Sequence, residues 1–374
     1  MNKSNNKEIF VVDGSAIAEP VTGIGNLSIQ MLTNAAKQRP NAIFYVFSPY
    51  KLPEFDNDNI IGNCFSEYAK EDHVFGWRIF WFDILLPLIA KRCKADFFWG
   101  LNGIIPFFLC GNVKSILWVH DFVFLKYPKT MNIFPRTYRR INFNWWCHRA
   151  NFKFCISNFT QDELFNLYGT DADDVIYCGI NPSYRYIESK NINKKDYVIL
   201  GTVEPRKNLK MLLKVIAEVV RLNRWPEGEM LQIIGAKGWK SSEFDADLAL
   251  LENQGIVKRM GYLPTESVVR ILRSSRGLLM PSLYEGFGMP VAEALAIGCP
   301  VFCSDINPFH EIDVDKRCYF HPLDEIGMTK SLISFLEQPV KPNIAPSEKF
   351  LKKFSYESNA KNFLDKLVIK SNQV

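Results

Sequence analysis

The run from Gly277 to Ser304 constrains this chain more than any other stretch. An apolar segment, Gly277 to Met280, is followed by a turn that holds Gly286 and Gly288, and then by a helix that carries Pro290 near its first position and runs to about Ile297. Such an apolar run reads as a buried strand, and proline suits a first helical turn, where its missing N–H has no partner to lose. A strand, a glycine turn and a helix in this order make an anion site. The glycines let backbone N–H groups come close to a ligand, and the positive end of the helix favours a phosphate. Glu293 is expected in the first turn of that helix, where it would accept hydrogen bonds from hydroxyls beside the phosphate, as a ribose offers. Glu285 falls at the carboxyl end of the strand, which is where open α/β sheets bind ligands. A nucleotide with a second polyol attached would engage both carboxylates. Taken singly, the turn and either glutamate serve equally well in a purely structural role. Their conjunction is less ordinary.

With 374 residues, 47% of them hydrophobic, the chain exceeds what one core organises and suffices for two α/β domains. The net charge of +5, from 45 basic and 40 acidic residues, does not indicate nucleic acid as a partner. Nine cysteines form no Cys-x-x-Cys pair, and several lie in apolar runs such as Phe154-Cys155-Ile156, as reduced core residues of a cytoplasmic protein do. Asp13 and Gly14 cut the apolar run Ile9–Val12 too short for a signal peptide, and Ile84–Ala90, interrupted by Pro87, is too short for a membrane span.

Ile9–Val12 is expected as the first buried strand. Thr22-Gly23-Ile24-Gly25-Asn26 then opens a helix through about Lys37. This second glycine turn invites a dinucleotide-binding reading, but Ser28 stands at the third glycine position, and the next strand, Ala42 to Phe47, ends without the acid that would hold an adenosine ribose. Between Phe75 and Phe108 the chain is aromatic (Trp77, Phe80, Trp81, Phe82, Phe97, Phe98, Trp99), and core packing accounts for most of these rings. From Phe122 through Gln161 seven Lys or Arg residues occur with no acid, interleaved with aromatic rings. That composition suits an anionic membrane face, a lipid-diphosphate acceptor or a solvated helix face. Just before it, the strand Lys114–Val119 ends in His120 and Asp121.

Phe154–Ile156 runs into a helix capped by Ser157 or Thr160, Val175–Gly179 is a short strand, and the polar stretch 181–195 reads as a linker. After the strand Tyr197–Gly201 comes Glu204-Pro205-Arg206-Lys207-Asn208. Two adjacent cations at a strand's carboxyl end can neutralise a diphosphate, although such a pair is more often solvated surface. Strands Leu231–Ile234 and Val257–Met260, the latter followed by Gly261-Tyr262-Leu263, alternate with helices near Asp245–Glu252 and Thr265–Arg273. A last helix spans about Tyr356–Ile369 with Ser355 as cap. Of four Asp-x-Asp triplets (56–58, 171–173, 245–247, 313–315) none directly follows an apolar strand, so no metal is expected.

Glu285-Gly286-Phe287-Gly288-Met289-Pro290-Val291-Ala292-Glu293-Ala294, followed by Gly298-Cys299-Pro300-Val301, closely resembles the Glu-x7-Glu signature of the retaining glycosyltransferases of the GT-B fold, family four or group 1. The resemblance, to bacterial O-antigen and polysaccharide mannosyltransferases in particular, covers nearly the whole chain, with its specific motifs concentrated in the second domain. The resemblance implies an α/β GT-B architecture, two Rossmann-like domains facing each other across a donor-binding cleft. It implies an acceptor domain over 1–180, completed by the final helix 356–374, a linker at 181–195 and a donor domain at 196–355. In that family the residue matching His120 touches a donor-sugar hydroxyl, and Glu285 is a sugar anchor rather than a nucleophile. The loop of Gly23 and Gly25 faces the donor diphosphate and the acceptor. Arg206 and Lys207 hold the pyrophosphate, Tyr262 and Leu263 lie beside the base, and Gly286, Phe287, Gly288, Met289, Pro290 and Glu293 complete the nucleotide site. The implied reaction is metal-independent transfer of a hexose, with retention, from a nucleotide-diphosphate sugar. GDP-mannose is the expected donor, and a glycan or lipid-diphosphate-linked acceptor of bacterial surface-polysaccharide assembly is the expected partner. The implied location is the cytoplasm, at the anionic inner face of the membrane. Two other readings stand beside this one: a non-catalytic nucleotide- or glycan-binding protein of the same fold, and a nicotinamide-dependent oxidoreductase or epimerase. A silent copy would have no need to keep His120, Arg206, Lys207, Glu285 and Glu293 together.

Overall fold

In a computed structural model the described residues are 7–19, 21, 23–64, 75–110, 112–188, 194–236, 245–338 and 344–371, without the side chains of 75–77, 245–247 and 371. Thr22 and the ring of Trp77 therefore lie outside them, as does the 189–193 part of the expected linker. The chain divides into two compact units, Met1–Leu125 with Asn132–Gly179 and Lys353–Val374, and Lys126–Met131 with Ile180–Lys352.

The first unit is built on seven parallel strands: β1 (Ile9–Asp13), β2 (Ile43–Ser48), β3 (Ile60–Cys64), β4 (Phe97–Gly100), β5 (Lys114–Val119), β6 (Phe152–Cys155) and β7 (Asp174–Val175), in the order β3-β2-β1-β4-β5-β6-β7. Parallel strands are covered on both faces, which is why the central ones read as unbroken apolar runs. Phe10 of β1 stacks between Phe44 of β2 and Phe97 of β4, with ring centroids 4.6 and 4.8 Å away. The final helix, Tyr356–Ser371, belongs to this unit: Phe363 stacks on Trp99 at 4.6 Å, and Gln38 donates to the Glu357 carbonyl at 2.7 Å. Its start is held by Ser355, whose Oγ accepts from the Ser358 N–H at 3.3 Å.

The second unit has six parallel strands: β8 (Tyr197–Leu200), β9 (Leu231–Ile234), β10 (Val257–Gly261), β11 (Gly277–Met280), β12 (Val301–Ser304) and β13 (Tyr319–Phe320), in the order β10-β9-β8-β11-β12-β13. Neither β3 nor β13 was expected. Each is an edge strand, β3 mostly exposed and β13 only two residues long, so neither leaves a buried run in the sequence. The strand expected at Val175–Gly179 is the two-residue β7 instead, and the expected linker opens with a tight turn, Pro182–Tyr184.

The basic segment splits in an unexpected way. Along the helix Ile133–Arg149, Arg140 is exposed, but Arg139 turns inward, where its Nη2 donates to the Asn102 carbonyl at 2.7 Å. Lys153 lies on β6 and donates to Thr170 Oγ1 at 2.7 Å. Neither is a free surface cation. Besides Arg140 the helix exposes the polar residues Thr137, Asn144, His148 and Arg149, and with them the apolar Ile133, Phe134 and Ile141, the last two separated by two helical turns and so on one face. Of the aromatic stretch, Trp81, Phe82, Phe97, Phe98 and Trp99 are core, whereas Phe80 and Phe108 are exposed. No helix among the described residues is long and apolar enough to cross a membrane.

Candidate active site

In the second unit the order of the sheet reverses between β8 and β11, which are paired through Gly277 with Tyr197 and Leu278 with Val198. The chain leaves these two strands toward opposite faces, so a crevice opens at their carboxyl ends. The loop after β8 carries the turn Pro205–Lys207, and the loop after β11 carries Ser282 to Gly288. The loops are tied together where the Leu283 N–H donates to the Arg206 carbonyl at 2.8 Å.

This meeting puts Glu285 between the two cations. Its Oε2 accepts from Arg206 Nη1 at 2.8 Å, and its Oε1 from Lys207 Nζ at 2.6 Å and from Ser282 Oγ at 2.8 Å. Glu204 takes Arg206 from the other side, Oε1 to Nη2 at 2.7 Å. Arg206, Lys207 and Glu285 expose only 17, 12 and 9% of their side chains, so these charges are paired where water screens them little. Burial alone would push the Glu285 carboxyl up. Lys207, Arg206 and the hydrogen bond from Ser282 outweigh it and hold the group at about 2. Burial pushes Lys207 down, against the pull of Glu285. At neutral pH Glu285 is therefore a carboxylate fixed against two cations.

The helix after the turn spans Met289–Ala296 with Gly288 as its N-cap. Gly288 has φ +121°, and a Cβ there would come within 2.6 Å of the Phe309 ring, so both the backbone and the space demand glycine. Pro290 is the second helical residue. Glu293 is the fifth, and this corrects its expected first-turn position: the first turn holds no acid. The proline fixes the start one residue earlier than a proline-first helix would have it. Glu293 instead meets Tyr184, a buried ring of the turn Pro182–Tyr184, whose hydroxyl hydrogen-bonds to the carboxyl; burial pushes that carboxyl up to about 8.

Tyr262 and Leu263 follow the edge strand β10, two strands away from β8, and Tyr262 is 72% exposed. The strand ends between are linked through glycine: Gly235 N–H donates to the Gly261 carbonyl at 2.8 Å, and Gly201 N–H to that of Ile234 at 3.0 Å.

The other predicted residues lie in the first unit. His120 follows β5 and is buried, with Nε2 2.7 Å from the Leu101 carbonyl. That contact makes Nε2 the protonated nitrogen, and Nδ1 is an acceptor with no partner among the described residues. Burial pushes its pKa down, which keeps the ring neutral. Gly23 opens the helix Gly23–Gln38; a Cβ on Gly25 would come within 2.8 Å of the Ala16 carbonyl oxygen, so that glycine answers a close chain approach.

The structure thus joins Arg206, Lys207, Glu285 and the Gly286–Pro290 turn at one strand-end crevice. Three partners went unread in the sequence. Ser282 and Glu204 stand within a few residues of the motifs and could have been found by asking what neutralises a buried Arg-Lys pair. Tyr184, in a polar stretch far from Glu293 in the chain, carried no signal.

Residues 182–353 match the family described as Glycosyl transferases group 1. Over 94% of its length the chain is 28% identical to the O-antigen chain mannosyltransferase B of Escherichia coli, of which 97% is covered. It is also 28% identical, over 88% of its length, to 91% of an O-antigen chain mannosyltransferase of Salmonella typhimurium. Among solved structures, the sucrose-phosphate synthase of Thermosynechococcus elongatus superposes with a TM-score of 0.76 at 15% identity, covering 98% of this chain and all of that one. The two parallel sheets with their helices have the two-domain α/β form of the GT-B fold, residues 182–353 match the group 1 glycosyltransferases, and nearly the whole chain is similar to O-antigen mannosyltransferases.

Proposed function

We propose that this protein transfers mannose from GDP-mannose, with retention of anomeric configuration and without a metal, to a glycan or lipid-diphosphate-linked acceptor of O-antigen assembly. The observation that carries this reading is the buried Arg206–Lys207–Glu285 cluster at the β8/β11 strand ends, just before the helix that begins at Met289. Breaking the bond between the anomeric carbon and a phosphate oxygen builds negative charge on the diphosphate. Lys207, Arg206 and the backbone N–H groups at the start of the helix meet that charge in a poorly screened place, the role a divalent cation fills elsewhere. Glu285 holds both cations and offers the sugar a carboxylate edge. Glu293 receives the ribose hydroxyls, with Tyr184 fixing its carboxyl, and Tyr262 and Leu263 flank the base. His120 accepts from a sugar hydroxyl through Nδ1, its unpartnered nitrogen. The names of the two mannosyltransferase relatives support mannose as the sugar, and GDP-mannose is a donor that fits them.

The test is a panel of GDP-, UDP- and ADP-sugars assayed with and without chelator. GDP-mannose should be turned over at a rate that EDTA leaves unchanged, and the anomeric proton of the product should show the configuration of the donor. Turnover of another sugar nucleotide alone would overturn the donor assignment, and loss of activity on chelation the metal-free one.

We place the protein on the anionic inner face of the membrane through Ile133, Phe134 and Ile141, with Arg140 beside them. Burying an exposed aliphatic or aromatic side chain is worth about 1.5–3 kcal/mol, and one cation near an anionic leaflet about 1 kcal/mol. Replacing Phe134 and Ile141 with serine should therefore weaken co-sedimentation with anionic vesicles more than Arg140→Gln does. Wild-type protein that ignores such vesicles even at low salt would exclude this placement.

A further inference from the structure

The first unit repeats the geometry of the second. Its sheet order reverses between β1 and β4, and at their carboxyl ends lies a solvent-open pocket whose wall includes Ser15, just after β1, and Asn102 and Ile104, just after β4. Two guanidinium groups, Arg78 and Arg139, also line it, and among the described residues no carboxylate does. We infer that this pocket is a phosphate-ester site, through which the protein holds an acceptor by its phosphate or diphosphate; the inference deepens the transfer reading above and rests on it.

Three observations support an anionic ligand. First, three nearby acids among the described residues are already engaged. Asp83 accepts from the Tyr138 hydroxyl at 2.6 Å and the Phe107 N–H at 3.1 Å, Asp13 from the Ser15 N–H at 3.0 Å and Oγ at 2.8 Å, and Asp121 from the Val123 N–H at 3.0 Å. Second, donors remain. Arg78 forms no hydrogen bond or ion pair with a described residue, and Arg139 bonds among them only through Nη2, toward Asn102, which fixes its plane. Burial pushes Arg139 down, Asp121 opposes this, and the like charge of Arg78 adds to it. An anion between two such groups relieves their repulsion, and the guanidinium fork matches phosphate oxygens. Third, the wall is locally specialised. Trp81 and Phe82 sit on a π-helical turn, Trp81–Leu85, a rare geometry that recurs at functional sites.

The pocket also adjoins His120. Arg139 Nη1 and the His120 ring flank Gly103, 3.4 and 3.8 Å from where a Cβ would stand. The apolar part of the wall leaves room for a hydrocarbon or sugar next to the phosphate, so two sources of the phosphate are to be told apart: a lipid-linked diphosphate and a soluble one.

The test titrates the full chain, with GDP or UDP already saturating the nucleotide site, with geranyl diphosphate, geraniol and inorganic pyrophosphate, read by tryptophan fluorescence. Geranyl diphosphate should bind and geraniol should not. Arg78→Gln and Arg139→Gln should each weaken diphosphate binding about ten- to a hundredfold, the loss of a charge-assisted hydrogen bond, with nucleotide affinity unchanged. Pyrophosphate binding as tightly as geranyl diphosphate, with the same arginine dependence, would support the site and assign it a soluble phosphate. Unchanged affinity in Arg78→Gln, a residue with no hydrogen bond or ion pair to a described residue, would overturn the proposal, as would a wild type that binds neither diphosphate. Failure to bind any nucleotide would count against the transfer reading instead, since the arginine dependence is read separately.

Discussion

Replacing Glu285 with alanine should destabilise the second unit by about 3–5 kcal/mol as well as abolish transfer, because it leaves two buried cations without their shared counter-charge. Glu204 still reaches Arg206, but Lys207 has no other carboxylate within ion-pair distance among the described residues. Glu285→Gln keeps hydrogen-bonding atoms in place and should cost less. Urea unfolding of the three proteins measures this directly. The pH dependence has a definite sign: the native carboxyl is held at about 2, below its ordinary value of 4.5, so its contribution is complete above pH 4.5 and fades as the pH falls toward about 2. The stability gap between wild type and Glu285→Ala should close over that same window. An alanine variant as stable as wild type yet inactive would mean that Glu285 acts on the substrate alone.

Lys207→Met should lower kcat by about 10²- to 10³-fold with little change in KM, the loss expected when a preorganised charge partner of the leaving group is removed. The two cations are not equivalent. Arg206 already spends Nη1 on Glu285 and the Tyr284 carbonyl and Nη2 on Glu204, whereas the Lys207 ammonium has a single hydrogen bond among the described residues, to Glu285, and two further protons to offer. Lysine is therefore expected to carry the larger share as charge develops on the proposed diphosphate, with arginine chiefly holding the carboxylates in place. Arg206→Gln should accordingly lower kcat less than Lys207→Met and lower stability more. A raised KM with unchanged kcat in the lysine variant would mean that it binds substrate and transition state equally.

What the sequence by itself determined is what depends on neighbours along the chain. The apolar run Gly277–Met280, the two-glycine turn and the proline-led helix follow from local sterics and hydrogen bonding, and so do the Ser157 cap, whose Oγ accepts from the Thr160 N–H at 3.0 Å, and the alternation of buried strands with helices. Two α/β domains and a two-glycine turn leading into a helix could be read from that pattern. The tertiary structure decided which loops meet. Arg206 and Glu285, 79 positions apart, form one cluster because β8 lies next to β11, and strand order leaves no local trace in an all-parallel sheet. Arg139 faces a pocket while Arg140 faces water because successive helical residues point about 100° apart, and only packing fixes which of the two directions is inward. Glu293 finds Tyr184, and Phe363 finds Trp99, by the same rule: side-chain partners brought together by chain topology are set by the fold as a whole, since only the closed fold brings their distant segments within a few ångströms.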